Sequence, residues 1–260
     1  MRKVSIALGT VAAIGALSLP ASALAAQQLT LTPSPTLTGK PGGSGTIFYA
    51  FTIANTLGGL PSPLSGSFTT ELPAGVTYAA VAGSAKLFPK CSSAVINAAT
   101  GSTPPVCPAG SQIGTGSSTF SALIGTQTLN ETSTIKAYLT SSSPVTLTFW
   151  GSGTTPIAET KIFTGTLMPD SGLYGEKLIT NIPTITTVPG GPDASVTQFS
   201  LSTGGTAKVK EKVKGKTKTV TVPFVPLPKK CASSQLHWSA STGYEDGTTT
   251  TTTATTPCTL

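Results

Sequence analysis

The chain has 260 residues, 10% of them charged and 38% hydrophobic, with 28 glycines, 21 prolines and a formal net charge of +7. Recurrent Val, Ile, Phe and Tyr supply a core, which argues against the disorder that low charge with abundant Gly and Pro would otherwise signal. Beyond Lys3 every basic residue is lysine, so the chain lacks arginine's planar fork, the usual reader of phosphates and guanine edges; this argues against nucleic acid as a partner.

Arg2 and Lys3 precede an apolar run from Val4 to Leu19, then Pro20 and Ala21-Ser22-Ala23-Leu24-Ala25. A basic start, a short hydrophobic stretch and small residues at an Ala-x-Ala site form the pattern of a secretory signal peptide, with cleavage expected after Ala25. The run falls short of the roughly 20 apolar residues of a membrane span. Loss of Arg2 and Lys3 lowers the net charge from +7 to +5. No later segment reaches membrane length, no cysteine stands at the cleavage site to carry a lipid, and the chain ends in Thr-Thr-Pro-Cys-Thr-Leu without a hydrophobic tail. The expectation is a monomer that is secreted or held at the cell surface non-covalently, with no transmembrane anchor.

Residues 26–260 read as one domain. Its strands are expected at Thr46–Ile53, Gly66–Leu72, Val76–Val81, Thr134–Leu139, Val145–Trp150, Thr160–Leu167, Ser195–Ser202, Lys208–Val213, Lys218–Val225, Gln235–Tyr244 and Thr248–Thr256. These runs are short, β-branched and aromatic, and bounded by Gly, Pro or Ser. Many close strands without intervening helices indicate an all-β sandwich or barrel, read here as an immunoglobulin-like β-sandwich. The one candidate boundary within it is Pro189-Gly190-Gly191-Pro192, short enough to be a loop.

Two hairpins can be placed. Asp246-Gly247 between β-rich runs predicts a tight type I′ turn, which makes the threonine run that follows a strand rather than a low-complexity stalk. The other hairpin turns at Gly215 and carries Lys208, Lys210, Lys212, Lys214, Lys216 and Lys218, with Val209 and Val213 alternating against the first four lysines and Glu211 interrupting the apolar set. It reads as a contact for an anionic cell-wall polymer or lipid headgroups. The same pattern also serves as an exposed edge whose lysines block strand addition.

Export would place Cys91, Cys107, Cys231 and Cys258 in an oxidising setting, where an even count implies disulfides, and four cysteines allow three connectivities. Pairing Glu245 with Thr248 and continuing the register sets Cys258 opposite Gln235, within reach of Cys231. Cys91–Cys107 then closes a loop containing Pro104-Pro105. By loop entropy that bridge stabilises by about 3 kcal/mol. Metal ligation would want Cys-x-x-Cys pairs or neighbouring histidines, and His237 is the one histidine, so no metal and no cofactor are expected.

The residues offer little catalytic chemistry. His237 shares no face with Trp238, and no Gly-x-Ser-x-Gly elbow is present. Of the nine acids, Glu159 and Glu176 form the one carboxylate pair singled out for a polysaccharide hydrolase. Trp150, beside Phe149 and before a Gly-rich loop, is a candidate exposed platform for a carbohydrate-binding module.

Several phrases form an ordered set. They are Leu72-Pro73-Ala74-Gly75-Val76, Phe88-Pro89-Lys90-Cys91 and Cys107-Pro108-Ala109-Gly110-Ser111-Gln112-Ile113-Gly114-Thr115-Gly116, then Lys230-Cys231, Trp238, Tyr244, Asp246-Gly247 and Pro257-Cys258. From Leu72 to Cys258 the chain resembles uncharacterised secreted β-sandwich proteins of high-GC Gram-positive bacteria, though it lacks their basic or glycine-rich run directly after the Cys231 region. The resemblance implies the pairs Cys91–Cys107 and Cys231–Cys258 and brings no activity with it. The expected protein is therefore a non-enzymatic extracellular or cell-surface component with a structural or binding role. Its expected partner is an anionic wall polymer, a polysaccharide or a surface protein.

Overall fold

The structure, a computed structural model, describes residues 27–33, 42–78, 85–154, 159–187, 190–213, 215–231 and 233–259; the expected signal segment lies outside them. The strands are β1 (Gln27–Pro33), β2 (Thr46–Asn55), β3 (Leu64–Pro73), β4 (Gln112–Ile124), β5 (Gln127–Ser142), β6 (Val145–Gly153) and β7 (Thr160–Pro169). They continue as β8 (Tyr174–Asn181), β9 (Ser195–Gly204), β10 (Thr206–Val213), β11 (Lys216–Pro223), β12 (Gln235–Tyr244) and β13 (Thr249–Pro257). The helical elements are a 3-10 turn at Ala85–Leu87 and the short helix α1 (Ser93–Asn97), both between β3 and β4.

Eleven strands form one antiparallel sheet in the order β1-β2-β9-β4-β5-β6-β7-β8-β3-β12-β13. The sheet rolls until β1 comes beside β13, so it nearly closes into a barrel. The fold is all-β, as expected, and aromatic side chains of β2, β3 and β9 meet in its interior. Phe51 of β2 stacks on Phe68 of β3 at 4.2 Å and on Phe199 of β9 at 5.0 Å. Strands from both sides of residues 189–192 belong to this sheet, so that stretch joins parts of one body.

Alternation builds the interior. Ile47, Tyr49, Phe51 and Ile53 of β2 point inward, as do Leu236, Trp238, Ala240 and Tyr244 of β12. β4 went unread in the sequence because Gln-Ile-Gly-Thr-Gly-Ser-Ser looks like a loop. Its glycines answer to the neighbouring strand: a Cβ on Gly116 would land on the Ser200 carbonyl of β9, and one on Gly114 would come 2.9 Å from the Thr203 methyl. Val76–Val81 is not a strand as far as it is described, since Val76 to Tyr78 is irregular chain and residues 79–81 lie outside the described set.

The β12–β13 turn also differs from expectation. Gly247 N–H donates to the Tyr244 carbonyl and Tyr244 N–H to the Thr248 carbonyl, at 3.0 and 2.9 Å. The loop is thus Glu245-Asp246-Gly247, three residues with Gly247 at φ +80°, in place of a two-residue type I′ turn. Register moves by one, setting Gln235 opposite Pro257. Cys231–Cys258 still forms, because Cys231 lies in the irregular chain before β12 and reaches its partner at a Cα separation of 6.0 Å. Cys91–Cys107 forms at 5.2 Å.

Candidate functional site

The lysine hairpin β10–β11 continues from β9 through Gly205 and is a two-stranded sheet of its own, outside the barrel ladder. Its base is anchored by buried Ala207 and Phe224, with Val209 and Val222 packed against the core. Lys208, Lys210, Lys212, Lys216 and Lys218 are exposed, and Lys214 lies outside the described residues. The ladder pairs Lys208 with Thr221, Lys210 with Thr219 and Lys212 with Thr217, while Lys218 stands opposite Glu211 and Lys216 opposite Val213. Three lysines thus share one face with threonines, and Lys216 and Lys218 stand at positions of the other, which Glu211 also occupies in register.

Trp150 is not an exposed platform. It is 2% exposed and packs with Cys91, Ile96 and Tyr138 on the outer surface of β5 and β6, beneath α1 and the chain closed by Cys91–Cys107. That segment is tied to the sheet at both ends. Cys91 N–H donates to the Leu139 carbonyl and Leu139 N–H to the Ser111 carbonyl, each at 2.9 Å. In its middle the Gly101 carbonyl accepts from Ser152 Oγ at 2.8 Å and from Thr160 Oγ1 at 3.1 Å. The expectation of an outward tryptophan was right about direction; what the sequence did not reveal is the segment that covers it.

The acids do not assemble as the sequence offered them. Glu176 is fully buried on β8, opposite Pro169 in register, where its Oε2 accepts the Tyr78 N–H at 2.6 Å. Glu159 precedes β7 at that strand's other end and pairs with Lys161 at 2.6 Å. At about 3.3 Å per residue the two carboxylates stand about 30 Å apart along the sheet. Sequence reasoning passed over Glu131, which is buried and lines a cleft with Glu159 at one end of the barrel. Its signal was its place in the inward alternation with Ser133, Ile135 and Ala137 on β5. That cleft encloses about 10 Å³, room for a single water at most and not for a sugar. A neighbouring apolar cavity of about 40 Å³ is lined by Phe120, Ile135, Phe163, Ile182, Val196 and Phe199.

Among the described residues no group of His, Cys, Asp and Glu could hold a metal ion, and no helix is long and apolar enough to cross a membrane. Two carboxyls in the β12–β13 turn are shifted in opposite directions. The Thr248 hydroxyl and backbone N–H hold Asp246 below the usual carboxylate range, helped by the Gln27 amide. Partial desolvation and the facing Asp193 carboxylate push Glu245 up. No family model, curated protein or solved structure matches the chain.

Proposed function

We propose that the protein is an exported or cell-surface component without catalytic activity. In this reading the barrel is a rigid mount, and the β10–β11 hairpin contacts an anionic polymer of the cell envelope. One observation carries it: the excess charge of the chain after Ala25 resides in that hairpin. Its six lysines and Glu211 sum to +5, while the other eight lysines of residues 26–260 are matched by eight acids. A net-neutral body with one basic projection orients itself on an anionic surface, each lysine near such a surface contributing about 1 kcal/mol. Two disulfides fit an oxidising compartment.

The test is co-sedimentation of the chain from residue 26 with purified cell wall and with anionic vesicles, across a salt series. Retention at low salt that collapses by about 0.5 M, where screening confines charge interactions to a few ångströms, is the expected result. Replacing the six hairpin lysines by glutamine should abolish it, whereas replacing Lys86, Lys90, Lys229 and Lys230 should leave most of it. Equal loss in both variants, or retention indifferent to salt, would overturn the reading.

A further inference from the structure

At the end of the barrel away from the lysine hairpin, the strands stop filling the interior. The inward positions of β6 run Leu147 and Phe149, then Gly151 and Gly153, and neighbouring inward positions of β5 and β4 hold Ser133 and Ser118. Small residues stand where leucine and phenylalanine stand elsewhere, and they leave space. The apolar cavity of about 40 Å³ found there is the middle of three. Toward the rim it shares Phe120, Glu159 and Ile185 with the cleft of about 10 Å³. Toward the barrel centre it shares Phe163, Ile182 and Phe199 with another void of about 10 Å³, which lies among Tyr49, Phe51, Phe68 and Phe149. The outer two have no residue in common, so the three form a row.

Size and chemistry select the occupant. A water-sized group needs about 10–15 Å³, so the middle cavity takes about three such groups and each outer one a single group. A benzene ring is taken up by an apolar cavity of about 150 Å³, so no part of this row admits a ring. Water gains little here, because it wants two to four polar partners and the walls are mainly aliphatic and aromatic. Phe120, Phe163 and Ile182 are half-buried, which brings the row to the solvent boundary. The polar groups at that boundary are Glu159 and Lys161, already paired at 2.6 Å. A charged head would have to displace one of them from the other. A hydroxyl can donate to the carboxylate and accept from the ammonium, leaving the pair intact.

We propose that this row of cavities binds a neutral, unbranched primary alcohol of about five or six carbons, its hydroxyl at Glu159 and Lys161 and its chain running inward to Phe149. The site lies at the start of β9, whereas the hairpin leaves from the end of that strand, so the outcome is independent of the hairpin's role.

The experiment follows methyl resonances of the ¹³C-labelled chain from residue 26 during titration with n-alcohols from propanol to octanol. Hexanol should move those of Ile135, Ile182, Ile185 and Val196 to saturation and leave that of Ile47, at the opposite end of the barrel, in place. Affinity should rise about fourfold per methylene up to hexanol and then level off, because further carbons find no space. Hexanoate, hexylammonium and cyclohexanol should each bind at least about tenfold more weakly than hexanol. Ser133→Val, which fills part of the middle cavity, should weaken hexanol about fourfold or more, with an unmoved Ile47 resonance reporting that the variant is folded. Gly151→Ala, whose Cβ would come 3.0 Å from Ile135 Cδ1 in the same wall, is a second variant with the same expected direction. No saturable response to hexanol, affinity that keeps rising through octanol, equal binding of cyclohexanol or of either ion, or undiminished affinity in both folded variants would each overturn the proposal.

Discussion

Trp150 and Trp238 are equally buried, each 2% exposed, and each lies near a disulfide, yet they are finished by different means. Trp238 points into the barrel from β12, and its Nε1 donates to Thr256 Oγ1 on β13 at 3.0 Å, so the hairpin that positions the ring also satisfies it. Trp150 points outward from β6 and is buried because the segment containing α1 folds over it, and its Nε1 has no acceptor among the described residues. The interior tryptophan is a completed part of a regular ladder. The outer one is a polar donor covered by irregular chain.

The largest expected effect tests whether the two coverings depend equally on their bridges. Loop entropy assigns each disulfide about 3–4 kcal/mol, so Cys91→Ser with Cys107→Ser and Cys231→Ser with Cys258→Ser should lower urea midpoints by comparable amounts. Only the first pair should also open Trp150 to acrylamide quenching in the folded state. A first pair that quenches no better than wild type would mean that backbone ties alone hold the covering segment.

Next in size is the tryptophan pair itself. Trp238→Phe leaves the Thr256 hydroxyl without its donor, whereas Trp150→Phe removes an N–H that has no acceptor among the described residues. The first should cost more than the second by about 1–3 kcal/mol in chemical denaturation, beyond the similar loss of ring volume. Equal costs would break the comparison.

The smallest effect belongs to the turn on the Trp238 side. Asp246 is depressed in the folded state, so its contribution is present above its unfolded value near pH 4 and fades as pH falls through the lower folded value. Glu245 is raised, so its contribution has the opposite sign, present in acid and lost as pH rises through the raised value. Asp246→Asn should flatten the acid-side fall of the melting temperature. Glu245→Gln should raise the melting temperature near neutral pH more than near pH 4. Both groups are largely exposed, so the shifts will be small.

Much of the fold was legible because inward positions alternate. β2, β9 and β12 announced themselves by β-branched and aromatic residues at period two, and both disulfides followed from placing one hairpin. β4 did not, since a strand gripped between β5 and β9 needs glycine where their backbones approach, and glycine reads as loop. The turn at Asp246-Gly247 misled by one residue because Asp-Gly suits both a two-residue turn and a three-residue turn with Gly in the left-handed region. The site was less legible. Alternation along β10 set its lysines on one face, but the register across Gly215 put Lys216 and Lys218 at positions of the other. Burial of Trp150 depends on chain about 50 residues earlier in sequence, which no local pattern encodes.

The strand order also dictates a timetable. β4 to β8 are five consecutive strands joined hairpin to hairpin, whereas β3 finds its ladder partners only in β8 and β12, and β2 needs β9 on its far side. Closing long loops is entropically costly before their contacts form, so the meander is assembled first and the β2 and β3 walls dock onto it late. Pulse-labelled hydrogen exchange should show early protection across β4–β8 and late protection in β3 and β12. The side of the barrel that forms first is the one that carries the covered Trp150, and the lysine hairpin emerges beside the strand that joins the meander to β2.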